Sequence, residues 1–194
     1  MPRTPAENER IRRVTREQIL KATRELFFTK GYYATSIDDV AKAAQISKGL
    51  LYHYFKAKEE LLAVLVDLRI DDLLFVMNTA ATQQTPIEQI RYIIEGALEN
   101  VSRQPEAFRF ELNLLTQPKL DPVAAKYIQK LMDERAKQFV VQTQMFKKLG
   151  VPNPRHRSLY FSSTLQGITL MFSTYPETFP LEEMKAQMIE EFCD

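Results

Sequence analysis

A short run of the chain, Ser47, Lys48, Gly49, Tyr52, His53, Lys56 and Lys58, carries side chains suited to a polyanion. A helix opening after Ser47 presents free N–H groups that bind phosphate, and the serine adds a hydroxyl. Gly49 has no Cβ, so a sugar or backbone can approach closely. Lys48 can take a phosphate or the edge of a guanine. Tyr52 and His53 can meet phosphate or a thymine methyl. Lys56 and Lys58 reach flanking phosphates, and Arg10, Arg12 and Arg13 read as a basic arm ahead of the first helix.

The charge is local. The 194-residue chain has a formal net charge of only +1. Residues 10–58 hold eleven Lys or Arg against four Asp or Glu, a net of +7. The rest must be about −6, so near-neutrality of the whole does not argue against nucleic acid. Other chemistries lack their residues. The two histidines are His53 and His156, and His156 lies between Arg155 and Arg157 with no metal or nucleophile partner in the pattern. Cys193 is one residue from the end, a poor frame for a nucleophile, and leaves no intrachain disulfide. Gly31, Gly49, Gly96, Gly150 and Gly167 are too far apart for a phosphate-cradling loop. No catalytic residue, metal or cofactor is expected, and an enzyme is not. Met1 to Glu9 is polar, no run of eighteen apolar residues occurs, and no membrane span is expected. These features fit a soluble, cytoplasmic protein.

The elements that would position these side chains are all helical. Thr15 with Gln18 offers a capping box for a first helix carrying Ile19, Ala22, Leu26 and Phe27, stopped at Gly31. Thr35 or Ser36 starts a second, short helix to about 43, with Asp38 and Asp39 each three residues on. Ser47 caps a third, ending near His53 or Tyr54. That spacing is a helix-turn-helix, held together by Ile37, Val40, Ala41, Ile46, Leu50 or Leu51, and Phe55. A long helix from Lys58 to about Thr79 follows. Pro86, Pro105, Pro118 and Pro122 punctuate helices near 86–101, 105–115 and 121–149. Ile87, Ile90, Ile94, Leu98 and Val101 share a face of the first of these. Helices near 154–175 and 181–192 close the chain. The predicted fold is all-α, with a head at 10–56 and a helical body at 57–194.

Residues 15–61, with GYYATSIDDVAKAAQISKGLLYHYFKAKEELL at 31–62, resemble the DNA-binding domain of TetR-family transcriptional regulators. The resemblance covers about a quarter of the chain. It implies a homodimer that binds an approximately two-fold symmetric double-stranded operator, most often as a repressor. Carried over by position, it implies that Thr35 or Ser36 caps the first motif helix and touches phosphate. Tyr33, Tyr52 and Lys58 position the backbone, and Lys48, Gly49 and His53 lie nearest the bases.

For the body, the resemblance implies ligand binding and dimerisation. The last two helices would form a four-helix bundle with a partner, and Leu159, Leu165, Gln166, Gly167, Leu170 and Met171 are interface candidates. Phe75, Tyr92, Phe108, Phe110, Tyr127, Met132, Phe139 and Phe172, with Met77 and Leu114 beside them, are residues that line pockets for an apolar or amphipathic effector. The same residues also fill helical cores. Glu95, Glu99 and Glu111 are candidates to meet a cationic compound, although Glu95 and Glu99 fall opposite the apolar face of their helix. The expected mechanism is release of the operator when an effector shifts the 58–79 helix. The alternative is a helical protein-interaction module without sequence-specific DNA binding.

Overall fold

The computed structural model describes residues 4–116 and 122–194; Pro118 lies outside them. The described residues form nine helices and no strand. The head comprises α1 (Pro5–Lys30), α2 (Ile37–Ala43) and α3 (Lys48–Tyr54), and α4 (Lys58–Ala81) leads into the body. The body adds α5 (Pro86–Arg103), α6 (Pro105–Leu115), α7 (Pro122–Lys148), α8 (Pro154–Thr174) and α9 (Leu181–Cys193). No helix among the described residues is long and apolar enough to cross a membrane.

The start of α1 differs from expectation. Thr4, not Thr15, is the cap: its hydroxyl accepts from the Glu7 N–H at 3.2 Å, and Pro5 stands in the first turn. Proline there loses no helical hydrogen bond and brings a preset φ. Thr15 is therefore interior to the helix, and Arg10, Arg12 and Arg13 are carried on a helix rather than on an arm. The other boundaries follow their caps. Gly31 ends α1 with φ 85°, a conformation that favours glycine. Ser36 and Asp39 complete a reciprocal capping box at α2, and Ser47 accepts from the Leu50 N–H at α3. Thr85 and Glu88 form a second capping box at α5.

Two apolar clusters hold the helices. The first joins Ile19, Phe27, Val40, Leu51, Phe55, Leu61 and Leu65 to Phe110 and Leu114 of α6 and Ile128 of α7. It crosses the division drawn at residue 56, so head and body share a core. Phe27 meets the edge of Tyr32 at 5.4 Å and stacks on Phe110 at 5.8 Å. Such ring pairs add about 0.5–1.5 kcal/mol beyond area burial. The second cluster lies within the body, among α4, α5, α7, α8 and α9. Ile90, Ile94, Leu98 and Val101 point into it, while Ile87 is exposed at the first turn of α5.

Candidate nucleic-acid interface and effector cavity

The head is tied together by contacts that leave one face of α3 open. Gln18 of α1 donates to the Ala44 carbonyl at 2.6 Å, bracing the turn between α2 and α3. At that turn Gln45 takes φ 54°, a left-handed geometry uncommon for a non-glycine residue. The Lys58 ammonium donates to the carbonyls of Tyr32 and Thr35 at 3.0 and 3.1 Å and lies 4.2 Å from the centre of the Tyr32 ring. The Tyr32 hydroxyl donates to Glu59 at 3.3 Å. The first turn of α4 thus grips the loop between α1 and α2. The Glu60 carboxylate accepts from the Lys56 N–H at 2.8 Å, which fixes the entry into α4.

Of the α3 residues, Leu51 is buried, Tyr54 is half-buried, and Lys48, Gly49, Leu50, Tyr52 and His53 are exposed. They share an outward surface with the cap residue Ser47. A Cβ at Gly49 would meet nothing within 4 Å, so no internal packing demands glycine there. Lys48 pairs with Asp38 of α2 at 2.9 Å. That hydrogen bond, and then the charge of the carboxylate, holds the ammonium above the usual lysine range. Tyr33 and Ser36 are also exposed, Tyr33 edge-on to Tyr32 at 5.0 Å.

Two of the expected contact residues are turned inward. Thr35 is only 1% exposed, and its hydroxyl donates to Gly31 O at 2.8 Å. Its side chain braces the loop rather than touching phosphate, which leaves Ser36 as the cap. Lys58 spends its ammonium on the carbonyls of that same loop, so it too serves the inside of the head. Leu50 was not anticipated on the outside: between Leu50 and Leu51, packing takes Leu51. An exposed leucine can meet an apolar group such as a thymine methyl.

A cavity of about 400 Å³ lies in the body among α4, α5, α6, α7 and α8. Of the expected lining residues, Phe108, Phe139 and Met77 are present. The others are elsewhere. Phe75 is 67% exposed and Met132 49% exposed, because both fall on the outer faces of their helices. Phe110, Leu114 and Tyr127 are committed to the shared head–body core, and Tyr92 and Phe172 pack against the second cluster. Polar residues outside the expected set also line the wall, among them Arg69, Asp72, Asn100, Arg135, Gln138 and Gln142. Their spacing carried a signal. Arg135, Gln138, Phe139 and Gln142 fall three or four apart on α7, as do Arg69, Asp72, Leu73 and Val76 on α4, so each set lies on one helix face.

One end of the cavity is charged. Glu111 is 4% exposed. Its Oε2 accepts from Nε and Nη2 of Arg69, both at 3.3 Å. Arg69 Nη1 also binds Asp72 at 3.1 Å, and the guanidinium lies 4.2 Å from the centre of the Phe108 ring. Arg135 pairs with the other oxygen of Glu111. Glu111 is therefore committed to two arginines rather than held open for a cation. Glu95 and Glu99 are exposed and do not line the cavity.

From Leu159 to Met171 the outer face of α8 is exposed and uncharged. Leu159, Tyr160, Ser163, Gln166, Gly167, Leu170 and Met171 repeat along it at helical spacing. Leu165 is turned further inward, against the second cluster. Leu159, Leu165, Gln166 and Leu170 also border the cavity, so one helix serves both surfaces.

Residues 19–65 match the family of bacterial regulatory proteins of the tetR type. The match covers most of the head and the start of α4, about a quarter of the chain. The chain is 30% identical over 108 residues to the transcriptional activator FasR of Mycolicibacterium smegmatis, spanning 54% of this chain and 49% of that protein. It is 34% identical over 94 residues to the regulator UidR of Escherichia coli K12, spanning 48% and 45%. The matched stretch thus spans about half the length of these curated relatives. The fold extends further. A TetR-like regulator from Rhodococcus sp. RHA1 superposes with a TM-score of 0.77 at 18% identity, covering 98% of this chain and 94% of that one. AibR, solved with isovaleryl coenzyme A and operator DNA, gives 0.73 at 19%, covering 92% and 98%. At such identities the likeness is one of fold: a TetR-type head on a helical body.

Proposed function

We propose that the protein is a ligand-responsive transcriptional regulator, acting as a repressor. As a homodimer it binds an approximately palindromic operator and releases it when a small apolar or amphipathic molecule enters the body. The observation that carries this reading is the open face of α3. Within a TetR-family head, Lys48, Gly49, Leu50, Tyr52 and His53 are exposed beside the capped amino end of a helix. Ser36, Ser47 and the N–H groups of the first turn fix register on phosphate, while Lys48, Leu50 and His53 read base edges. On DNA, Lys48 exchanges or shares Asp38 for phosphate or guanine.

The cavity supports the ligand-responsive part. Its ion-paired end joins α4, whose first turn grips the loop between α1 and α2, to α6 and α7. A ligand can shift the operator equilibrium only through different affinities for the two arrangements of the heads. A cluster whose members sit on three helices is placed to supply that difference. The uncharged outer face of α8 supports dimerisation.

The test is competition. The full chain is bound to a labelled duplex from the promoter beside its gene and challenged with unlabelled promoter or scrambled duplex. The reading requires the promoter to compete at least a hundredfold better. Equal competition by both would favour a general polyanion binder instead.

A further inference from the structure

We infer that the effector is an amphipathic anion whose negative group is taken by Arg135. This inference rests on the reading of the cavity as an effector site.

The cavity wall carries four charged side chains among the described residues: Arg69, Asp72, Glu111 and Arg135. They are not equally committed. Arg69 is satisfied on three nitrogens, by Glu111 and Asp72. Arg135 touches Glu111 Oε1 through one nitrogen only. That contact is an ion pair without a well-directed hydrogen bond, since Oε1 is buried and lacks a hydrogen-bond partner. Nε and Nη1 of Arg135 have no partner among the described residues. A guanidinium offers five donors in a planar fork that matches a carboxylate through two parallel bonds. Arg135 keeps most of that fork unspent at a cavity wall.

The pairing of the charges points the same way. Two arginines face two carboxylates, and Arg69, Asp72 and Glu111 already satisfy one another. Arg135, with its side chain 35% exposed, is the charged group with donors to spare. A ligand carboxylate can take those donors, whereas a cationic ligand would find both carboxylates already paired. The remaining wall, with Leu73, Val76, Phe108 and Phe139, suits an aliphatic or aromatic tail. A volume of about 400 Å³ is near the small end of ligand pockets, which fits a compact monoanion better than a large conjugate.

The test uses three probes of one tail length on the full chain by titration calorimetry: decanoate, 1-decanol and decylammonium. Decanoate should bind at least tenfold more tightly than either of the others. Arg135→Gln should bring the ratio of decanoate to decanol affinity down to about one, and Arg135→Lys should restore part of it. Failure of decanoate to bind, or decanol or decylammonium binding as well in the unaltered chain, overturns the inference without any variant having to fold. None of these readings involves DNA. Loss of sequence-selective operator binding would therefore count against the proposed function separately, leaving the ligand class standing or falling on the calorimetry.

Discussion

At the scale of the residue, two lysines ten positions apart in one basic segment do different work. Lys48 is exposed and paired across the surface to Asp38, whereas Lys58 is turned into the loop between α1 and α2. Composition alone treats them alike; only packing separates them. Lys48→Ala should weaken operator binding by about 1–3 kcal/mol and scrambled-duplex binding by less. Fluorescence anisotropy with both duplexes checks this, and equal losses would make Lys48 a phosphate contact rather than a base reader. Leu50 and Leu51 show the same limit. Their identical side chains are sorted by the helix phase, which depends on where Ser47 starts α3.

At the scale of the element, caps made the head readable. Gly31, Ser36 with Asp39, and Ser47 mark boundaries because each satisfies a backbone group that a helix end leaves unpaired. At the start of α1 two cap signals compete, Thr15 with Gln18 and Thr4 with Pro5, and the second prevails. The Asp39 carboxyl is held below the usual carboxylate range by the Ser36 backbone N–H and then by the Ser36 hydroxyl. Its folded-state pKa is lowered, so its contribution is complete above the usual carboxylate pKa and is lost as pH falls through the lowered value. The gap in urea midpoint between the unaltered chain and Asp39→Ala should be full at about pH 6 and narrow below about pH 4. A gap independent of pH would show that the charged cap contributes nothing. The second element of note is α6. Its neighbours Phe110 and Glu111 face opposite duties, one stacked on Phe27 of the head and the other ion-paired at the cavity. Phe110→Ala should cost about 3 kcal/mol in urea unfolding, while Leu112→Ala on the exposed side of the same helix costs under about 1 kcal/mol. Equal costs would mean that α6 does not join head to body.

At the scale of the whole molecule, the helical order was legible from proline and cap positions, but the cavity was not. Aromatic residues in helices fill cores as readily as pockets, and Phe110, Tyr127 and Phe172 went to the cores. The polar lining had helical spacing, yet spacing alone does not say which face meets a void. The outer face of α8 gives a test of assembly. A Cβ at Gly167 meets nothing within 4 Å inside the protomer, so Gly167→Glu should leave the fold intact. In a dimer built on this face it would bury a charge, and light scattering should then report a monomer; a dimer of unchanged affinity would place the interface elsewhere.

On the proposed function, the exposed face of α3, doubled by a two-fold interface, selects a particular DNA sequence. Selection of bound duplexes from a random library tests it most directly. Enrichment of a consensus with two inverted half-sites, lost in Tyr52→Ala, is the predicted result. A pool that binds without any consensus, or a consensus without two-fold symmetry, would contradict it.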